Sequence, residues 1–172
     1  MNKVFVYVDG TARGNPGQAA VGIAVADHRG EIIDETSYVI GRTTPEVAEY
    51  RALIEAARHV MKYSPTSAVF FTDNQQLANH INGVFETRKP NLRQLLERAR
   101  DLLNQFPSWR VNYVDPVALR RAPLLVEQAF HTRVQAQLTR ERLELELLAA
   151  MAELDEKSVR RVIDYANSLR GL

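Results

Sequence analysis

Cysteine is absent from the 172 residues. Disulfides and thiolate metal sites are therefore excluded, and a cytoplasmic setting is the expectation. No apolar run approaches the roughly 18 residues of a membrane span, so no membrane partner is expected. The opening residues, MNKVFVYVDG, enter a strand pattern at once and leave no room for a signal peptide. Excess charge of one sign is also missing: 22 basic against 21 acidic residues leave a net charge of +1. That is not the strongly basic balance of a protein that holds nucleic acid by charge alone, so any such binding must rest on a local patch or on metal ions. Glycine and proline are missing between Leu124 and Arg170, which marks a long helical tail. What remains, 45% apolar and 25% charged residues, is the profile of a globular domain with a small appendage.

Along the chain, KVFVYVD (Lys3–Asp9) reads as a strand ending on an aspartate, followed by a turn crowded with Gly10, Gly14, Pro16 and Gly17. Ala19–Gly41 reads as two more strands around DHRG, which predicts a three-stranded antiparallel meander. Thr44–Ser64 predicts a helix capped by Thr44, with Pro45 in its first turn and Val47, Tyr50, Leu53, Ile54, Ala57, Val60 and Met61 as its apolar stripe. AVFFTD (Ala68–Asp73) predicts a central strand that again ends on an aspartate. A short helix stopping at Gly83, an amphipathic helix over Leu92–Phe106 and a fifth strand over Trp109–Asp115 follow. The tail predicts further helices, the last capped by Asp155 or Ser158.

The question is why two buried-looking strands end on carboxylates. If the strands are neighbours, Asp9 and Asp73 leave the same edge, and a helix across the sheet can aim Glu49 at the same point. Such a cluster repels itself unless cations sit in it. Hard oxygen ligands suit Mg²⁺ or Mn²⁺, and two such ions about 3.5–4 Å apart cleave phosphodiesters. Each residue has a plainer reading as well: a turn or cap for either aspartate, a solvated helix position for Glu49. Of the histidines, His59 and His80 read as helix-surface residues, and Trp109 as a core residue.

The stretches YVDGTARGNPGQAAVGIAV, VAEYRALIEAA, FFTDNQQLANHINGVFETRKPNLRQLLERARDLLNQFP and WRVNYV resemble type 1 ribonuclease H, in the short bacterial and archaeal branch without a basic protruding loop. The resemblance covers about residues 3–134. It implies an α/β fold with a five-stranded mixed sheet in the order 3-2-1-4-5, flanked by helices, and cutting of the RNA strand in RNA–DNA hybrids with two divalent metals, Mg²⁺ or Mn²⁺. Carried over by position, Asp9, Glu49 and Asp73 match the metal ligands. Gly10, Thr11, Arg13, Asn15, Asn74 and Gln75 match the region that contacts nucleic acid, with Asn15 and Gln75 where the family meets the RNA strand. Reading the 2′-hydroxyl separates RNA from DNA.

The chain departs from the family at Pro123, where a fourth aspartate is expected. It also lacks a histidine in the loop DPVALRR, where the family carries one, and has Pro45-Glu46 where a pair of asparagines meets the DNA strand. These losses imply a weak second metal and reduced activity, or a catalytically impaired hybrid-binding module that works through its tail. Glu127, one helical turn beyond Pro123, and Asp115 are candidate substitutes. Arg13, Arg88, Lys89, Arg120 and Arg121 form a candidate basic rim. The expected division is a catalytic domain over 1–134 and a helical extension over 135–172. The extension's leucines call for cover from a second copy or a protein partner.

Overall fold

A computed structural model describes residues 3–152 and 154–170. The chain divides into two compact units, the first reaching Thr132 and the second starting at Arg133.

The first unit is built on a sheet in the order β3-β2-β1-β4-β5. Strands β1 (Lys3–Gly14), β2 (Gly17–Ala26) and β3 (Ile32–Thr43) form the antiparallel meander. β4 (Ser67–Thr72) runs parallel to β1, and β5 (Trp109–Tyr113) parallel to β4. The expected order and directions are thus those of the sheet.

Helices α1 (Pro45–Val60) and α3 (Pro90–Leu103) cover one face. The α1 stripe meets Val4, Val6 and Val8 of β1, whose alternation aims them at the helix layer. Thr44 caps α1, its hydroxyl accepting from the Val47 amide at 3.3 Å. The short helix α2 (Gln75–Ile81) follows β4 and is capped by Asn74.

Three expectations shift. Strand β1 does not end at Asp9. It continues to Gly14, because the small residues Gly10 and Ala12 extend the hairpin ladder with β2, and Asp9 itself pairs with Gly22. The parallel pairing to β4 is what stops earlier, at Tyr7 and Phe71. DPVALRR is not a plain loop: Pro116–Leu119 form helix α4, with the Asp115 carboxylate accepting from the Val117 amide at 2.9 Å. His80 is not a surface residue. It is buried at 4% exposure, and its Nδ1 shares a hydrogen bond with the Tyr50 hydroxyl. Trp109 is partly buried against the core and donates to Asn104 at 3.1 Å.

Helix α5 (Arg121–Ala152) is continuous. Its opening turns bury Ala122, Leu125, Val126, Ala129 and Phe130. The Val126, Ala129 and Phe130 side chains form a small core with Ala20 on the opposite face of the sheet from α1. In the second unit α5 is followed by α6 (Glu156–Arg170), whose cap is the Asp155 carboxylate accepting from the Ser158 amide at 2.8 Å. Among the described residues no helix is long and apolar enough to cross a membrane.

Two glycines set how closely the helices approach. A Cβ at Gly10 would overlap the Ala48 carbonyl of α1, and a Cβ at Gly22 would overlap the Ala122 carbonyl of α5. Neither helix backbone can give way without breaking its packing. Gly10→Ala is therefore expected to destabilise the protein by about 1–3 kcal/mol, the usual cost of overpacking. Urea unfolding followed by circular dichroism measures it; an unchanged midpoint would show that α1 can retreat at no cost.

Candidate active site

Asp9 stands on β1 just past the last parallel pair with β4, and Asp73 follows β4 directly. Beyond that pair, the close contact at Gly10 brings α1 against β1, and Glu49 is the residue after Ala48. The three carboxylates converge: one oxygen from each of Asp9, Glu49 and Asp73 lies within 4.8 Å of the other two. Residues far apart in sequence, drawn from a strand, a helix and a strand end, meet where the sequence pattern expects them.

The meeting is unfavourable without a counter-charge. Burial, then the charge of Asp73, pushes the Asp9 carboxyl up to about 6. Burial, then the charges of Asp9 and Asp73, holds Glu49 well above the usual carboxylate range. Asp73 is raised by burial. Little opposes this. The Gly10 amide hydrogen-bonds to Asp9 and to Glu49, and the Asn74 side chain hydrogen-bonds to Glu49. Among the described residues Glu49 Oε2 is buried with no hydrogen-bond partner, a position that a water or an ion can satisfy. An all-oxygen donor set with one orphaned buried oxygen fits a hard divalent cation such as Mg²⁺ or Mn²⁺.

The other sequence candidates lie on or just after the two strands that carry the aspartates. Gly10 serves helix packing, and Thr11 and Arg13 continue β1 on the Asp9 side of the strand. Asn15 is exposed in the turn between β1 and β2. Asn74 has a structural task that sequence reasoning missed: its Oδ1 accepts from the Leu77 amide at 2.9 Å, capping α2. Its position before an apolar run was the available signal. Gln75 opens α2 and is exposed.

Pro123 lies next to Ala122, whose carbonyl rests on Gly22, the cross-strand partner of Asp9. The expected place of a fourth ligand is therefore beside the cluster and holds no donor. Asp115 is occupied as the cap of α4. The Glu127 charge reaches Asp9, but its carboxylate accepts from Arg13 at 2.8 Å. Three of the five candidate rim residues are paired with acids inside the chain: Arg13 on Glu127, Lys89 on Glu46 at 2.6 Å, and Arg121 on Glu35.

Comparison with known proteins extends the match beyond the carboxylates. A family model described as reverse transcriptase-like matches residues 7–129. The ribonuclease HI of Halobacterium salinarum is 36% identical over 127 residues, 74% of this chain; the chain spans 64% of that relative's length. The crystal structure of RNase H1 from the same archaeon superposes with a TM-score of 0.74 at 35% identity, covering 76% of this chain and 99% of that one. LC11-RNase H1, solved in complex with an RNA/DNA hybrid, gives a TM-score of 0.72 at 27% identity, covering 76% and 99% of the two chains. With a sheet of the same order and relatives that run through nearly the whole first unit, the chain belongs to the type 1 ribonuclease H family.

Proposed function

We propose that this chain is a divalent-metal-dependent endoribonuclease that cuts the RNA strand of RNA–DNA hybrids, with activity lowered by Pro123. The observation that carries the reading is the convergence of the three carboxylates around an orphaned Glu49 oxygen. The relatives named ribonuclease H, one of them bound to a hybrid, point to the same substrate.

Asp9, Glu49 and Asp73 would hold the metal. A pair of bound Mg²⁺ or Mn²⁺ ions would supply an activated water and charge stabilisation for the leaving oxygen. The chain's own groups do the rest. Gly10 and Asn74 hold Glu49 in place through the hydrogen bonds described above. Asn15, in the turn after β1, and Gln75, at the start of α2, offer side-chain amides suited to a 2′-hydroxyl that both donates and accepts. Arg13 can exchange Glu127 for a phosphate, since its ion pair is half exposed and so only weakly held. Pro123 leaves one side of the cluster without a donor, which weakens a second ion and favours Mn²⁺. In the second unit, Leu143, Leu145, Leu147 and Leu148 are all more than half exposed. We propose that residues 135–172 dock a second copy or a protein partner, and that the protein works in the cytoplasm.

Two outcomes test the site. On a labelled hybrid, cleavage is expected with Mn²⁺ and more slowly with Mg²⁺, leaving 3′-hydroxyl and 5′-phosphate ends. Asp9→Asn should lower kcat on the order of a hundredfold or more, and Pro123→Asp should raise the Mg²⁺-supported rate about tenfold. Tight hybrid binding with no cleavage by any of the three proteins would favour a binding module instead.

The second outcome concerns pH. Because the folded state raises the Asp9 pKa from 3.8 to about 6, folded chains bind more protons than unfolded ones between those values. Stability of the metal-free protein should therefore fall as pH rises from about 4 to about 6 and stay low above it. At neutral pH in EDTA, Asp9→Asn should stabilise the protein by about 1–3 kcal/mol. Mg²⁺ or Mn²⁺ should raise the melting temperature of the wild type but not of the variant. Calorimetric melts across pH measure both effects; a variant that melts lower than wild type in EDTA would show that the carboxylates are not in conflict.

A further inference from the structure

The strand face that carries Asp9 is not used up by the carboxylate. Side chains alternate along a strand, so Lys3, Phe5 and Tyr7 share the Asp9 face of β1, on the side away from α1 and α3. The register Phe5↔Val69 and Tyr7↔Phe71 carries this row onto β4, and Val69↔Arg110 and Phe71↔Asn112 carry it onto β5. Three aromatic rings lie together on it. Tyr7 stacks on Phe71 with centroids 5.2 Å apart and planes inclined by 20°, and Phe5 lies 6.1 Å from Phe71. None of the three rings is fully buried. The Lys3 ammonium stands 4.9 Å from the Phe5 ring centre.

A shallow depression runs over this surface between Lys3, Phe5, Phe71, Arg110 and Asn112. Lys3, Arg110 and Asn112 are exposed, and among the described residues no acid lines the depression. Within the first unit, the opening turns of α5 pack over Gly22 and Ala20 of β2, while Phe5, Tyr7 and Phe71 on β1 and β4 stay partly exposed.

A row of rings flanked by cations and an amide, with no carboxylate among them, is complementary to bases and phosphates. Ring faces stack any base, and lysine and arginine follow the backbone. A sheet face bearing aromatic residues is a known way to hold unpaired nucleotides. Double helices present no free base faces, so the chemistry selects single strands. A protein partner of the usual kind would meet a larger apolar area and fewer unpaired cations.

We propose that this face is a second nucleic-acid site that holds single-stranded nucleic acid, with bases stacked on Phe5, Tyr7 and Phe71 and phosphates against Lys3 and Arg110. Asp9 continues the row of Phe5 and Tyr7, four residues or about 13 Å beyond Phe5. A strand lying on the rings therefore leads toward the carboxylates, as the unpaired flank of a paired substrate would. The site does not depend on metal or on cleavage.

Fluorescence anisotropy of a labelled pyrimidine oligonucleotide, with the full chain at low salt in EDTA, tests it. The wild type is expected to bind. Phe5→Ala should weaken binding roughly fivefold or more, the effect of losing one stacked base. Lys3→Glu with Arg110→Glu should weaken it by about tenfold or more and reduce the slope of log affinity against log salt by about 1.4, or 0.7 for each phosphate contact. The charge reversals sit at exposed positions, so they test the site even if Phe5→Ala is poorly folded. Asn15→Ala and Gln75→Ala should bind the single strand as the wild type does. Four results would overturn the proposal. One is no binding at low salt. Another is equal binding by the Phe5 and charge-reversal variants. A third is a loss in Asn15→Ala or Gln75→Ala as large as in Phe5→Ala, which would place the strand in the carboxylate cleft. The last is a fall in mass by light scattering on charge reversal, which would show that a second copy covers the face.

Discussion

The close approach of α1 to β1 at Gly10 is the contact on which the site depends. Glycine at this position removes a Cβ that would overlap the Ala48 carbonyl. The alanines of α1 support the same fit, since Ala48, Ala52, Ala56 and Ala57 are all fully buried. With the helix seated this low, the residue after Ala48 arrives at the level of the strand that carries Asp9. A larger side chain at Gly10 would lift α1 away, and Glu49 with it. Gly22 plays the same part for α5, so the strand pair that carries Asp9 is approached closely from both sides. The geometry of the acids is thus set by the absence of side chains next to them.

Seating the helix so low creates an electrostatic conflict. Three carboxylates share one small volume, two of them with strongly raised pKa values, and the Glu49 Oε2 atom is left without a partner. The surrounding fold has to hold this arrangement against its own repulsion. It does so with an apolar core that runs from Val4 through Leu53 and Phe70 to Leu103 and Val111. The polar supports are few: one amide and one asparagine, the latter already committed to capping α2. A cluster so sparsely compensated is poised to take up cations, and its pH response and its metal response are two views of one fact.

Much of this was legible in the sequence because it rests on local patterns. The stripe of α1, its Thr44 cap and the meander of the first three strands are written in spacing and turn chemistry. The acidic triple was legible only as a convergence, because Asp9, Glu49 and Asp73 each have an ordinary reading alone. What escaped was set by tertiary partners. β1 runs on past Asp9 because its small residues find a ladder on β2. His80 is buried because Tyr50 waits for it thirty positions earlier in the chain. The basic rim looked free because Glu35, Glu46 and Glu127, its partners, are distant in sequence. The aromatic row was overlooked for a similar reason. Phe5, Tyr7 and Phe71 belong to stretches that read simply as strands, and only the sheet order shows that they share one partly exposed face.

The internal pairing of the basic residues bears on how the substrate is met. Three of the five residues of the candidate basic rim, Arg13, Lys89 and Arg121, are each bound to a glutamate, which lowers the unopposed positive charge they present. A hybrid approaching this edge gains less from phosphate contacts than it would from free cations, and counterion release is correspondingly smaller. On the proposed reading, affinity would draw also on metal ions held by the acids and on stacking against the partly exposed rings. Stacking depends less on salt than phosphate contacts do. On that reading, a chain with balanced charge, a cluster of three acids and a partly exposed aromatic row would rely on its surroundings for capture rather than on long-range attraction.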